Sequence, residues 1–326
     1  MTALACFALG EGVLRVGRWI DVRAEPELAH TEFTYDARIG WQNYRPLRGL
    51  AGIPPRRAGV ARVLAVGDSS CYGVEVAADR TFAARLSEKL GAASGREVEV
   101  LNGGVAGFSS SQTLAYLERR LTPSVVRPDV ILTYVGHNDA KRTVTGLSDR
   151  ELAARLDNPI SGLARASLFF WNVPHGMIAT PLGEWLYGGE VKASGKPRVS
   201  PVELRANLTA IRALAASAGA AVRFVVPVQR GGRTGAAREE RGGAEGRPGE
   251  AGATAFTAAG AAVEEDYGAI VKEQPEAIEV LGALLASGRS ADDLFVDGTH
   301  PSALGHELIA GAIADGMVRD RVLASR

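Results

Sequence analysis

Hydrophobic positions along the chain fall into short continuous runs that alternate with longer stretches of helical spacing. Residues 62–66 read as a first strand, apolar from Val63 to Val66 and closed abruptly by Gly67-Asp68-Ser69. Residues 80–94 follow, with Phe82, Leu86 and Leu90 recurring on one helical face. Residues 97–101 read as a second strand ending at Asn102-Gly103-Gly104, and 110–121 as a second helix. Residues 129–135 are nearly all apolar, as expected of a parallel strand covered on both faces, and end at Gly136-His137-Asn138-Asp139. A helix over 201–218 precedes a fourth strand over 221–228. Residues 279–281 are either a short fifth strand or part of a helix, and 304–318 form a closing helix. Strands alternating with helices predict an α/β domain over 61–326, with a parallel sheet covered by helices on both faces.

Three stretches break this alternation. Residues 1–60 read as an N-terminal helix followed by an irregular arm, in which Pro46, Pro54 and Pro55 interrupt any regular element and Trp41 and Tyr44 pack down. Ala3 to Leu9 is apolar but too short to span a bilayer, and it lacks the basic flank of a secretory signal. It is read either as an amphipathic helix docked on the domain or as the stub of a longer membrane anchor. The stub would place the protein outside the cytoplasm; the docked helix would leave it cytoplasmic. Residues 140–200 are an insertion carrying Leu168-Phe169-Phe170-Trp171 and Trp185-Leu186-Tyr187, either a lid or short helices packed on the domain. Residues 229–253 hold almost no large apolar side chain and are expected to be a mobile loop.

Composition narrows the classes. The 326 residues are 46% hydrophobic and 23% charged, enough for a sizeable core. Formal net charge is zero, so no nucleic-acid partner is expected. Cys6 and Cys71 are far apart, which excludes a disulfide framework. The five histidines have no metal-ligand spacing, so no metal is expected; no Gly-rich phosphate loop of Walker type is present, and no organic cofactor is expected either.

Candidate chemistry gathers at the strand ends. Ser69 stands where a strand hands over to a helix, at the carboxyl rim where ligands bind in open α/β folds. A helix starting there also points backbone N–H groups at developing negative charge. Ser70 and Cys71 stand beside Ser69 as rival nucleophiles. Serine needs a base to take its proton, and histidine suits that work near neutral pH. Asp297-Gly298-Thr299-His300-Pro301 places a carboxylate three residues before a histidine, within reach of one ring nitrogen across a tight turn. Asp68 is expected to stabilise the turn, Asn102 to pin its loop, and His306 to lie on the surface or pack. His137 is either a substrate contact or a solvated loop residue. No Gly-x-Ser-x-Gly elbow is present, which argues against the α/β-hydrolase fold.

Four clusters in this order resemble the SGNH hydrolases, the GDSL esterase/lipase family. Gly67-Asp68-Ser69 with Gly73 is similar to the first block of that family, Asn102 with Gly107 to the second, Gly136-His137-Asn138-Asp139 to the third, and Asp297 to Pro301 to the fifth. The resemblance covers about 61–318 and leaves out the N-terminal arm. It implies a three-layer, flavodoxin-like α/β/α fold with a mainly parallel sheet of five strands. It also implies Ser69 as nucleophile, His300 as general base and Asp297 as its orienting acid. The oxyanion hole it implies is formed by the backbone N–H groups of Ser69 and Gly107 and the Asn138 amide, with Gly104 competing for the place of Gly107. The expected activity is hydrolysis of short acyl or acetyl esters of small molecules, carbohydrates or lipids. The alternatives are acyl transfer to or deacetylation of carbohydrate, and a non-catalytic binding module of the same fold.

Overall fold

The computed structural model describes residues 45–143, 147–156, 196–230, 256–258 and 267–323; before residue 45 it describes only 9, 12, 13, 16, 33–36 and 39–43. Expectations for 168–171, 185–187, most of 229–253, most of the N-terminal helix, and the packing of Trp41 and Tyr44 lie outside what is described. In chain order, strands β1 (Phe33–Asp36) and β2 (Gly40–Asn43) precede β3 (Ala61–Gly67), helix α1 (Ser69–Tyr72) and helix α2 (Phe82–Ser94). Next come β4 (Val98–Gly104), α3 (Ser110–Arg119), α4 (Pro123–Val126), β5 (Val130–Tyr134), α5 (Asp149–Leu156), α6 (Pro201–Ser217) and β6 (Ala221–Val225). The chain continues with β7 (Val228–Arg230), β8 (Phe256–Ala258), α7 (Tyr267–Lys272), β9 (Ala277–Ile278), α8 (Leu281–Ala286), α9 (Ala291–Leu294) and α10 (Ala303–Arg319).

Two units make up the chain: residues 1–52 with 142–196, and residues 53–141 with 197–326. In the first, β1 and β2 form an antiparallel hairpin within the stretch expected to be irregular. Its turn is held by Asp36 Oδ1, which accepts from the Ile39 N–H at 3.0 Å. Four-residue strands are too short to announce themselves by alternation.

The second unit carries a five-stranded sheet in the order β4-β3-β5-β6-β9, with every neighbouring pair parallel. Alternating residues of β3 and β5 face opposite layers. Val63, Ala65, Val130 and Leu132 pack with Phe82, Leu86 and Leu90 of α2 and Ile309, Ile313 and Met317 of α10. On the other side α3 and α6 pack together, burying Tyr116, Leu117, Leu204, Leu208 and Ile211. This is the three-layer α/β/α arrangement with a flavodoxin-like strand order.

Strand limits depart from the pattern for local reasons. β6 stops at Val225 because Pro227 has no N–H to offer a ladder. Val228–Arg230 instead pairs antiparallel with Phe256–Ala258. The fifth strand is Ala277–Ile278, just before the expected position, and Leu281 already begins α8. β4 runs on through Asn102, Gly103 and Gly104, which pair with Ala65, Val66 and Gly67. Among the described residues, no helix is long and apolar enough to cross a membrane.

The order of the sheet decides where a ligand can bind. β3 lies between β4 and β5, so the connections leaving the first and second strands cross to opposite sides. Their divergence opens a crevice beyond the carboxyl end of β3, and Ser69 follows that end.

Candidate active site

The Ser69 turn is built by the residues on either side of it. Gly67 has φ +151°, and a Cβ there would lie 2.0 Å from the Tyr134 carbonyl oxygen. Only glycine lets β3 leave the sheet so close to the end of β5. Asp68 then caps α1: its Oδ1 accepts from the N–H groups of Ser70 at 2.9 Å and Cys71 at 3.4 Å. Gly73 closes the helix in the left-handed conformation at φ 84°. A Cβ at Gly104 would meet the Tyr72 nitrogen at 2.3 Å, so glycine is also what allows α1 to lie against β4. Burial dominates the Asp68 carboxyl and pushes it up to about 7, against the two backbone N–H donors that favour the charge.

This geometry separates the three rival side chains. Ser70 is 2% exposed and Cys71 is fully buried, whereas Ser69 keeps 9%. Burial pushes the Cys71 thiol well above its ordinary range, with the neighbouring Asp68 charge adding to the effect. Ser69 Oγ lies 2.9 Å from His300 Nε2, and His300 Nδ1 lies 2.6 Å from Asp297 Oδ2. The first contact joins residues 231 positions apart in the chain.

A tight turn makes the three-residue spacing of Asp297 and His300 work. Asp297 Oδ1 accepts from the backbone N–H groups of Thr299 at 2.6 Å and His300 at 2.7 Å, which leaves Oδ2 for the ring. The turn is closed by the Val296 N–H, which donates to the His300 carbonyl at 2.9 Å. Burial works to raise the Asp297 carboxyl, but those two N–H donors and the His300 ring outweigh it and hold it below its ordinary range. An ionised Asp297 makes Nδ1 the protonated nitrogen, so Nε2 faces Ser69 Oγ as an acceptor.

The remaining predicted residues line the same rim. Gly107 adopts φ 80°, a left-handed conformation suited to glycine, and its N–H has no partner among the described residues. The Ser69 N–H, in the first position of α1, is also unpartnered among them. Gly104 is different: its N–H donates to Asn102 Oδ1 at 3.0 Å. Asn102 Nδ2 donates to the Cys71 carbonyl at 3.1 Å and lies 3.3 Å from that of Tyr72, so this residue ties β4 to α1. Asn138 is buried and gives one amide hydrogen to the Phe108 carbonyl at 2.9 Å, leaving the other uncommitted among the described contacts.

His137 retains some exposure, yet both ring nitrogens are buried and lack partners among the described residues. Burial, helped by the Lys141 and His300 charges, pushes its imidazole down to about 4. His306 is fully buried: its Nδ1 accepts from the Phe82 N–H at 3.1 Å and its ring stacks on Phe82, so it belongs to the packing of α2. Sequence reasoning gave no role to Asp139, which accepts from the Ser110 N–H at 3.0 Å and from the Ser110 hydroxyl. Asn207 Nδ2 donates to the same hydroxyl at 2.8 Å. This network fastens the loop after β5 to the N-terminus of α3, and the Ser109-x-x-Gln112 capping box was the signal for that helix start. Among the described residues, no cluster of His, Cys, Asp and Glu could hold a metal ion.

A hydrogen-bonded Ser-His-Asp chain at the rim of a doubly wound parallel sheet sets the class within which the comparisons fall. The model of the GDSL-like lipase/acylhydrolase family matches residues 65–308, so the chain belongs to that family and is an ester-bond hydrolase. Similar solved structures include LAE5, an alpha/beta hydrolase enzyme from the metagenome of Lake Arreo, Spain. That likeness is at 16% identity over 79% of this chain and 95% of that one, with a TM-score of 0.46. Axe2, an acetylxylan esterase from Geobacillus stearothermophilus, is similar at 16% identity over 79% and 94%, with a TM-score of 0.45. TesA is similar at 16% identity over 78% and 97%, with a TM-score of 0.43. No curated protein matches the sequence.

Proposed function

We propose that the protein hydrolyses small acyl esters in two steps through an acyl-enzyme on Ser69. The observation that carries this reading is the continuous chain from Ser69 Oγ to His300 Nε2 at 2.9 Å and from His300 Nδ1 to Asp297 Oδ2 at 2.6 Å. Ser69 Oγ attacks the ester carbonyl carbon while its proton passes to His300 Nε2. Asp297 holds the ring in the required tautomer and stabilises the imidazolium. The carbonyl oxygen becomes an oxyanion that accepts from the Ser69 and Gly107 N–H groups and from the free amide hydrogen of Asn138. His300 then gives its proton to the departing alcohol oxygen, and the acyl group remains on Ser69. A water molecule repeats the sequence: His300 takes its proton, the hydroxyl attacks the acyl carbon, and Ser69 regains its hydrogen as the acid leaves.

The substrate class we propose is a small-molecule or carbohydrate ester with a short acyl chain, a reading supported by the ester-bond hydrolase family and open to test by chain length. A panel of p-nitrophenyl esters of rising chain length, with acetylated sugars and the Ser69→Ala variant as control, tests the reading. Turnover should be highest for acetyl and other short chains and absent in the variant. Full activity in the Ser69→Ala variant would reject it, and acyl products accumulating on an added sugar in place of free acid would move it to acyl transfer.

A further inference from the structure

The two loops that carry the uncommitted donors are joined by a residue outside every motif cluster. Arg198 Nη1 donates to the Gly107 carbonyl at 2.8 Å, and its Nη2 donates to Gln112 Oε1 at 2.5 Å. That same Oε1 accepts from the Ser109 N–H at 3.2 Å, as part of the capping box of α3. The next carbonyl along, Phe108, is held by Asn138 Nδ2 at 2.9 Å. Two successive carbonyls of one loop are therefore gripped, one by Arg198 and one by Asn138.

The Arg198 main chain is fastened to the other loop. Its N–H donates to the Lys141 carbonyl at 2.8 Å, and the Val199 N–H donates to the Asp139 carbonyl at 3.1 Å. Val199 is fully buried, and its own carbonyl accepts from Tyr267 Oη at 2.7 Å. The guanidinium thus reaches the Gly107 loop from a backbone tied just beyond Asn138. Gly107 needs such a restraint. At φ 80° and without a Cβ, its flanking peptide planes are not confined by sterics. A planar fork of charged donors restrains a carbonyl and a neighbouring side chain together, which a single ammonium cannot do.

We propose that Arg198 is a positioning residue of the oxyanion hole: by holding the Gly107 carbonyl from a backbone tied just beyond Asn138, it keeps the loop that carries the Gly107 N–H in register with the Asn138 amide, so that both donors meet the same oxygen. This rests on the reading of Gly107 and Asn138 as oxyanion donors. A positioning role acts on the transition state more than on substrate binding. Arg198→Met should therefore lower kcat, counted per Ser69 titrated with a fluorophosphonate, by about 10- to 100-fold while KM stays within about threefold. Affinity for an alkylboronic acid, whose adduct on Ser69 mimics the tetrahedral oxyanion, should fall in parallel with kcat/KM. The shape of the pH–rate profile should not change, because the Ser-His-Asp chain is untouched. Millimolar guanidinium should restore part of the activity to Arg198→Ala.

Arg198→Lys keeps the charge and one donor, and should lie between wild type and Arg198→Met in both kcat and boronate affinity. It carries the test alone if Arg198→Met does not fold. Folded variants with wild-type kcat and boronate affinity, beside an inactive Ser69→Ala control, would overturn the role of Arg198 and leave the esterase reading standing. A fully active Ser69→Ala would overturn the underlying reading itself.

Discussion

Asp68 offers a prediction whose size can be worked from its surroundings. Its side chain is fully buried, with Oδ1 capping α1 and its carboxyl pushed from 3.8 up to about 7. Burial is the main cause, and the charge of Asp139 adds to it while Lys141 and the capping N–H groups oppose it. Below pH 3.8 the group is protonated in both the folded and the unfolded chain and costs nothing. Between 3.8 and about 7 the unfolded chain loses this proton first, so the folded state binds more protons and stability falls as pH rises. At 1.36 kcal/mol per pH unit, the full loss above neutrality is about 4 kcal/mol. Asp68→Asn carries no titrating proton and keeps an Oδ1 to accept from Ser70 and Cys71. Its stability relative to wild type should rise by about 4 kcal/mol between pH 4 and pH 8. Urea unfolding of both proteins at intervals across that range, followed by far-UV circular dichroism, measures the difference, in which the other titrating groups cancel. A difference that stays flat with pH, within about 1 kcal/mol, would refute the reasoning.

Three further outcomes follow from the geometry. Asn138→Ala should lower kcat by about 10²- to 10³-fold if its amide serves as the proposed oxyanion donor. Its unfolding free energy should fall by about 1–3 kcal/mol, for the buried Phe108 carbonyl that loses the Asn138 amide, and steady-state kinetics beside urea denaturation separate the two effects. Gly104→Ala places a methyl 2.3 Å from the Tyr72 nitrogen and 2.7 Å from the Cys71 carbonyl carbon. It should destabilise the fold by about 3 kcal/mol or more and lower activity with it, as read by a thermal melt and an ester assay. Cys71, buried and held as a thiol, should resist iodoacetamide in the native protein and react once urea unfolds it, as followed by mass spectrometry.

The central strands were legible because a strand buried on both faces must be a continuous apolar run, and β3 and β5 are such runs. Where function shapes the backbone, the pattern misleads. Asn102-Gly103-Gly104 reads as a turn yet completes β4, because the close approach of α1 demands glycine where a strand would ordinarily carry side chains. β9 pairs through two residues, too few for any periodicity. The motif residues were visible as polar turns at strand ends. The contacts among them were not, since Ser69 and His300 meet only through the topology of the sheet. The same holds for Asp139 with Ser110 and for Arg198 with Gly107, 91 positions apart. An arginine near the end of a long insertion has no local pattern that sets it apart from a solvated one.

If Ser69 alone attacks the ester and carries the acyl group, it alone should react with a fluorophosphonate added to the native protein, as read by peptide mass spectrometry. One adduct per chain is expected, on Ser69, formed in step with loss of esterase activity and absent from Ser69→Ala. A folded, active protein that stays unlabelled at Ser69, or that carries its adduct on Ser70 or Cys71, would contradict that role for Ser69.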